Sequence, residues 1–124
     1  MKYLLDSNII IYLQTVQYRK TLEDLFEGNT IYTSHISMVE VLGFRKITPN
    51  EIAFFTNFFK HTALLEIDSR VIDNAIQLRQ IKQLSLGDAL IAATANVHAL
   101  TLVTANTKDF KKFPELNLIN PLEA

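Results

Sequence analysis

The chain opens, after Met1, with Lys2–Asn8 (KYLLDSN), an apolar run that ends in three polar residues. A short apolar run followed by helix-capping side chains is typical of a buried strand that leads into a helix. We therefore predict a first strand over Lys2–Asp6 and a helix over Asn8–Gln14. The same strand-to-helix succession recurs along the chain.

Further segments continue this alternation. Strands are predicted over Thr30–Ser34, Ala63–Ile67, Thr101–Val103 and the short segment Leu116–Ile119. Helices are predicted over Arg19–Glu27, over Ser37–Phe44, from Thr48 through the phenylalanines of 54–59, from Ser69 to about Lys82, and over Ala89–Ala99. The expected class is α/β: one domain over residues 1–124 in three layers, with a mostly parallel sheet of four to five strands between helices.

Capping chemistry fixes two helix starts. Thr48-Pro49-Asn50-Glu51 carries Thr at the N-cap, Pro at the first helical position and Glu at the third, the pattern of a capping box. Asp68 ends a predicted strand but precedes Ser69 and a helix, which favours a capping role over a functional one. The aromatic residues of the helix after Thr48 are interpreted as core.

Composition narrows the functional classes. The chain has 124 residues, 48% of them hydrophobic, and no cysteine, which excludes a disulfide or a thiolate zinc site. Asp6 interrupts the first apolar run, and no stretch is long enough to span a bilayer, so we expect a cytoplasmic protein without membrane association. The three histidines form no HExxH pattern, and the three glycines form no phosphate-binding loop.

The net charge of −1 gives no overall attraction for a polyanion. Any contact with nucleic acid must use local basic groups. The candidates are Arg45-Lys46, Arg79 with Lys82, and Lys108 with Lys111-Lys112. Each group taken singly is also compatible with an ordinary solvated surface.

Three carboxylates are isolated in segments that otherwise look built for burial. Asp6 is the only charged residue between Lys2 and Arg19, and Glu40 and Asp88 are equally alone within 30–44 and 84–107. A buried carboxylate is costly unless it is protonated, paired or bound to a metal. A hard cation such as Mg²⁺ or Mn²⁺, which prefers oxygen ligands, is the simplest shared explanation.

The predicted positions strengthen this hypothesis. Asp6 ends the first strand, Asp88 begins a helix, and the segment from Thr104 to Asp109 follows the fourth strand. In open α/β sheets, ligands bind at the carboxyl ends of strands, near the point where strand order reverses. Glu40, on the helix after the second strand, can point to the same edge.

Simpler interpretations stand beside each of these. Asp6-Ser7-Asn8 is also a good cluster of N-cap residues. Asp88 also suits the first turn of a helix, where the dipole favours an acid. Asp109 also suits a turn. Glu40, within a helix, has no capping role.

Four motifs in order give a resemblance to the PIN-domain ribonucleases, in particular the VapC toxins of bacterial toxin–antitoxin pairs. They are Leu4–Asn8 (LLDSN), Ser37–Leu42 (SMVEVL), Gly87–Ala93 (GDALIAA) and Leu102–Phe110 (LVTANTKDF). The resemblance runs over the full length of the chain.

The resemblance implies an endoribonuclease that depends on Mg²⁺ or Mn²⁺ and acts as a toxin. Its catalytic and metal-binding acids would be Asp6, Glu40, Asp88 and a fourth acid, taken as Asp109. Many relatives have Asp where this chain has Asn106, so either position can face the metal. Asn8, Thr104 and Asn106 would support the acids, and Lys108, Lys111 and Lys112 would contact the RNA backbone.

The resemblance also implies a homodimer and a VapB-like antitoxin that blocks the pocket, often with an arginine. Asn106 leaves open a different class, a non-catalytic PIN-fold module whose acidic pocket only receives a partner arginine. A phosphotransfer receiver domain is disfavoured, because no lysine ends the Thr101–Val103 strand.

Overall fold

The computed structural model describes residues 1–123. Its centre is a parallel sheet in the order β3-β2-β1-β4-β5. The strands are β1 (Lys2–Leu5), β2 (Thr30–Ser34), β3 (Ala63–Leu65), β4 (Thr101–Val103) and β5 (Leu118–Ile119). All five predicted strands are present, and the predicted parallel arrangement is confirmed.

The described residues form seven helices. They are α1 (Ser7–Tyr12), α2 (Val16–Phe26), α3 (His35–Leu42), α4 (Pro49–Lys60), α5 (Ser69–Ile81), α6 (Leu86–His98) and α7 (Thr107–Phe110). None of the helices within residues 1–123 combines the length and apolar character needed to cross a membrane.

Side chains of β1 alternate between two cores, as the pleat of a strand requires. Leu4 packs with α5 and α6 on one face, and Tyr3 and Leu5 pack with α1, α2 and α4 on the other. The phenylalanines of α4 belong to this second core, with Phe55 and Phe59 buried. The predicted three-layer architecture is therefore confirmed.

Several helix boundaries differ from prediction. Helix α2 begins at Val16, three residues before the predicted Arg19. Its N-cap is Thr15, whose side chain makes no cap hydrogen bond. Helices α3 and α6 also begin early, because Ser34 and Ser85 are the side chains that cap them. Helix α7 was not predicted.

The capping predictions hold. The Thr48 side chain and Glu51 form the complete capping box of α4. The Asp68 carboxylate accepts a hydrogen bond from the Val71 amide at 3.1 Å, as expected of a capping acid.

Strand β1 marks the point where strand order reverses. The chain builds β1, β2 and β3 to one side, and then β4 and β5 to the other. Leu5 pairs with Val103, so β1 and β4 end side by side. The residues that follow them, Asp6 and Thr104, therefore meet at the position where α/β sheets bind ligands.

Candidate active site

Asp6 is the buried centre of the site. Its side chain is only 5% exposed, at the junction between β1 and α1. One carboxylate oxygen, Oδ1, accepts from the Ser7 amide at 2.8 Å, and Oδ2 accepts from the Thr104 hydroxyl at 2.7 Å. Asp6 is therefore both the N-cap of α1 and a buried acid, so its two sequence interpretations are compatible.

Burial raises the pKa of Asp6 from its usual 3.8 to about 6, although the Thr104 and Ser7 hydrogen bonds oppose the rise. The negative charges of Asp88 and Glu40 raise the pKa further. Each effect has an ordinary cause, since a low-dielectric environment and like charges both disfavour an ionised carboxyl. The site therefore holds more negative charge than it neutralises.

Asn8 links the start of α1, which follows β1, to the segment that follows β4. Its Nδ2 lies 3.4 Å from Asp6 Oδ2, and its Oδ1 accepts from the Ala105 amide at 3.2 Å. The side chain spans the gap between the start of α1 and the segment after β4. Asn8 thus holds these two segments in register around Asp6.

Asn106 and Asp109 are joined directly. The Asn106 side-chain amide donates to Asp109 Oδ2 at 2.9 Å, and the Asn106 backbone amide donates to the Thr104 hydroxyl at 2.9 Å. Because Thr104 in turn donates to Asp6, one hydrogen-bonded path runs from Asp6 to Asp109. The short helix α7 carries Asp109 into this path.

Glu40 reaches the site from α3, but it is exposed. The expectation that its apolar segment would bury it is wrong. Val41 and Ser37 take the buried positions of α3, whereas Val39 and Glu40 lie on its solvent side. Glu40 Oε1 accepts a 2.6 Å hydrogen bond from the Ser7 hydroxyl.

Asp88 lies half-buried in the first turn of α6, whose N-cap is Ser85. Burial raises the pKa of Asp88 above its usual value, and the Ser85 hydroxyl opposes that rise. The charges of Asp109 and Glu40 raise the pKa as well. The structure thus brings all four predicted acids within electrostatic range of one another.

Three residues of this site were not predicted to belong to it. In the sequence Ser7 stands out as a capping residue within a motif, and Ser37 and Gly87 only as parts of motifs. Ser7 donates to Glu40, Ser37 lies 3.0 Å from Ser7, and Gly87 abuts Glu40. These residue types give no specific signal in the sequence, so only the folded contacts identify them.

The three predicted lysines lie on or next to α7 and differ in their contacts. Lys108, Lys111 and Lys112 are all exposed. Lys112 Nζ donates to the Gln83 carbonyl at 3.2 Å, whereas Lys108 lies on α7 beside Asp109. Arg79, another sequence candidate, donates to the Leu84 carbonyl at 3.1 Å and is partly occupied by that structural contact.

The donor set fits a hard divalent cation. Four carboxylates with hydroxyl and amide neighbours offer oxygen ligands without sulfur or imidazole, the preference of Mg²⁺ and Mn²⁺. Among residues 1–123, no three His, Asp or Glu side chains converge tightly enough to enclose an ion by themselves. Mg²⁺ usually binds through one or two carboxylates and retains water, so the open arrangement is compatible with it.

The fold and the acidic site define a class. Residues 3–116 match the PIN domain, and the chain belongs to that family.

Among the relatives, the chain is similar to Ribonuclease VapC2 of Rickettsia felis, with 33% identity over 97% of this chain and 98% of that protein. Among solved structures it is similar to VapBC2 of Rickettsia felis bound to a promoter DNA fragment, with a TM-score of 0.81 and 29% identity over 97% of this chain and 98% of that one. It is also similar to a toxin–antitoxin complex from Klebsiella pneumoniae, with a TM-score of 0.77 and 31% identity over 98% of this chain and 99% of that one. PIN-domain nucleases of the VapC type generally depend on a divalent metal ion.

Proposed function

We propose that this chain is an endoribonuclease that requires Mg²⁺ or Mn²⁺ and acts as the toxin of a toxin–antitoxin pair. The observation that carries the proposal is the buried acid Asp6, which lies at the strand-order reversal and has its pKa raised to about 6. Such a group is costly to keep ionised in the free protein. A bound cation offsets that cost.

The relatives support this function from an independent direction. A protein similar over nearly the whole chain is named a ribonuclease, and similar solved structures are VapBC or toxin–antitoxin complexes. The PIN-domain match over residues 3–116 covers all four acids. The reaction class follows from this combination rather than from the fold alone.

In this proposal Asp6, Glu40, Asp88 and Asp109 are the catalytic acids and the metal ligands. The cation would supply charge neutralisation at the scissile phosphate and a lowered pKa for a water molecule. The four acids would hold it beside the carboxyl ends of β1 and β4. Lys108, Lys111 and Lys112 bind the RNA backbone and orient the phosphate towards the acids.

Asn8, Thr104 and Asn106 have supporting roles. Thr104 favours the ionised form of Asp6 by donating to it, and Asn8 holds the segment after β4 against α1. Asn106 donates to Asp109, an arrangement that suits Asp109 as the fourth ligand and Asn106 as its holder. Asn106 therefore does not deprive the site of a fourth acid.

The proposed partners are RNA, a VapB-like antitoxin and a second copy of the chain. The solved relatives include toxin–antitoxin complexes, which supports an antitoxin partner for this chain. A guanidinium inserted among the four acids would compensate part of the excess negative charge that a divalent cation compensates. An antitoxin arginine would therefore compete with the cation for the same carboxylates.

The test is metal-dependent cleavage of total cellular RNA by the purified chain and by Asp6→Asn. We expect cleavage in Mg²⁺ or Mn²⁺ and none in EDTA. Because metal stabilisation of the transition state contributes several kcal/mol, Asp6→Asn should lower the rate by at least about 10³-fold.

Asp68→Asn is the matched control. Asp68 also follows a strand and caps a helix, but its carboxylate is partly exposed and bonds only to Arg70 and the Val71 amide of α5. Because Asn caps as well as Asp, this variant should cleave normally. If pure protein cleaves no RNA in either metal, the catalytic proposal fails and the non-catalytic binding module replaces it.

A further inference from the structure

The backbone of Gly87 lies unusually close to the Glu40 carboxylate. A Cβ atom placed on Gly87 would meet Glu40 Oε2 at 2.8 Å and Cδ at 3.5 Å. Of the described glycines only Gly28 has a positive φ, so the backbone of Gly87 does not itself require glycine. A glycine inside a helix costs stability relative to alanine. The position of the Glu40 carboxylate is therefore what an alanine at position 87 would disturb.

The other oxygen of Glu40 is held by a chain of two hydroxyls. Ser7 Oγ lies 2.6 Å from Glu40 Oε1 and 3.0 Å from Ser37 Oγ. The Ser7 hydroxyl has one proton and the carboxylate can only accept, so that proton occupies the shorter contact, to Glu40, while Ser37 Oγ lies against the Ser7 hydroxyl. Ser37 is fully buried. The chain thus runs from the protein interior to an exposed carboxylate.

An exposed glutamate needs this restraint. Free glutamate side chains sample many rotamers, and ordering one costs conformational entropy. Here Ser7 fixes Oε1 while the backbone of Gly87 limits where Oε2 can lie. Because Asp88 follows Gly87 directly, the same contact sets how closely Glu40 approaches Asp88.

We propose that Gly87, Ser7 and Ser37 are positioning residues, which together fix the Glu40 carboxylate beside Asp88 for binding of a divalent cation. The proposal deepens the proposed function and rests on it. None of the three residues ligates the cation. They act only through Glu40.

The first test is Gly87→Ala. The new methyl group displaces the Glu40 carboxylate from its Ser7 hydrogen bond, a loss that the higher helix propensity of alanine offsets, so the variant should melt in EDTA at or above the temperature of the parent protein. Binding of Mn²⁺, measured by calorimetry, should nevertheless weaken by about 10-fold, the range seen when a residue supporting a metal ligand is lost. Unchanged Mn²⁺ affinity overturns the proposal.

A double-mutant cycle with Glu40→Ala separates an effect through Glu40 from one through the adjacent Asp88. Without the carboxylate, Gly87→Ala should cause no further loss of Mn²⁺ affinity. In EDTA it should raise the melting temperature more in the Glu40→Ala background than in the parent, because alanine then gains helix propensity without a clash. A further affinity loss in that background, or equal melting gains in both, overturns the proposal.

A second pair of variants does not depend on α6. Ser7→Ala removes the hydroxyl that holds Glu40, and Ser7→Thr retains it. We expect Ser7→Ala to weaken Mn²⁺ binding and Ser7→Thr to restore it, with Ser69→Ala, an exposed serine at the start of α5, as control. Equal affinities for Ser7→Ala and Ser7→Thr overturn the proposal.

Failure of this inference is distinguishable from failure of the proposed function. If the parent binds Mn²⁺ but cleaves no RNA, the nuclease proposal fails while the cycle still decides the role of Gly87. If the parent cleaves RNA and the cycle shows no coupling between Gly87 and Glu40, only the positioning inference fails.

Discussion

Asp6 and Glu40 reach the same site by opposite means. Asp6 is buried between two strands and accepts hydrogen bonds on both oxygens. Glu40 is exposed on a helix, where a hydroxyl holds one oxygen and a glycine backbone borders the other. Burial raises the pKa of Asp6, whereas the Ser7 hydroxyl and the Gly87 backbone set the position of the Glu40 carboxylate. The difference predicts which substitutions act through ionisation and which through geometry.

Of the remaining substitutions, replacement of Asp109 should reduce cleavage the most. Asp109→Asn keeps the shape but removes the charge, and we expect a loss of about 100-fold in cleavage with a weaker Mn²⁺ affinity. Asn106→Ala leaves the acid in place without its amide donor, so it should lose about 10-fold. The two measurements are the cleavage rate and the dissociation constant for Mn²⁺.

The order of these two effects is what matters. A larger loss for Asn106→Ala than for Asp109→Asn would mean that Asn106 itself faces the cation. Asn96→Ala is the matched control, since Asn96 also uses its side-chain amide in a hydrogen bond, to Asn74, and lies near the C-terminal end of α6.

Thr104→Val tests whether the ionisation of Asp6 governs cleavage. The variant removes the hydroxyl whose hydrogen bond lowers the pKa of Asp6, so that pKa should rise above about 6. More of the acid is then protonated at pH 6 to 7, and cleavage there should fall by about 10-fold while recovering towards pH 8. The measurement is the pH–rate profile.

The control for this profile is Thr94→Val, which removes a buried hydroxyl that donates to the Leu90 carbonyl within α6. Its profile should match that of the parent. If the cleavage rate falls at the same acidic pH in Thr104→Val as in the parent, the Thr104 hydrogen bond does not govern the ionisation of Asp6.

The smallest expected effect comes from the exposed lysines. Replacing Lys108, Lys111 and Lys112 together by Ala should raise the KM for RNA several-fold and flatten its dependence on salt, since phosphate contacts release counterions. The same number of charges removed at Lys2, Lys20 and Lys60, all exposed, controls for net charge. Identical salt slopes for the two triple variants would remove the lysines around α7 from the RNA-binding surface.

The sequence was informative where one residue carried an unusual cost. Asp6 was identifiable because a lone carboxylate in an apolar strand needs a special explanation, and the structure does bury it. The parallel sheet was predictable because strands and helices alternate along the chain. Both inferences rest on patterns within short stretches of sequence, which do not depend on contacts between distant segments.

Contacts between distant segments were beyond the same reasoning. The apolar neighbours of Glu40 suggested burial, but only the packing of α3 determines which of its faces meets the core. Gly87 gives no signal of its own in the sequence, because its role lies in a contact with a side chain from another helix. Helix α2 begins earlier than predicted, at a Thr15 N-cap whose side chain makes no cap hydrogen bond. Tertiary contacts settle such cases.

The most direct test of the account is the thermal stability of the parent protein and Asp6→Asn, with and without Mn²⁺, at pH 7.5. The pKa of Asp6 in the fold, about 6, lies above the ordinary value of 3.8, so the fold favours the protonated acid. The stability from this group is fully present below pH 3.8 and is lost as pH rises through about 6. At pH 7.5 the ionised acid should therefore cost roughly 3 kcal/mol.

We predict that in EDTA at pH 7.5 Asp6→Asn melts several degrees above the parent, and that this gap narrows towards pH 4. In Mn²⁺ the parent should gain stability and Asp6→Asn should not, because binding to the folded state raises its melting temperature. A parent protein that melts no lower than Asp6→Asn in EDTA, and that Mn²⁺ leaves unmoved, would contradict the claim that Asp6 is a buried acid kept for a cation.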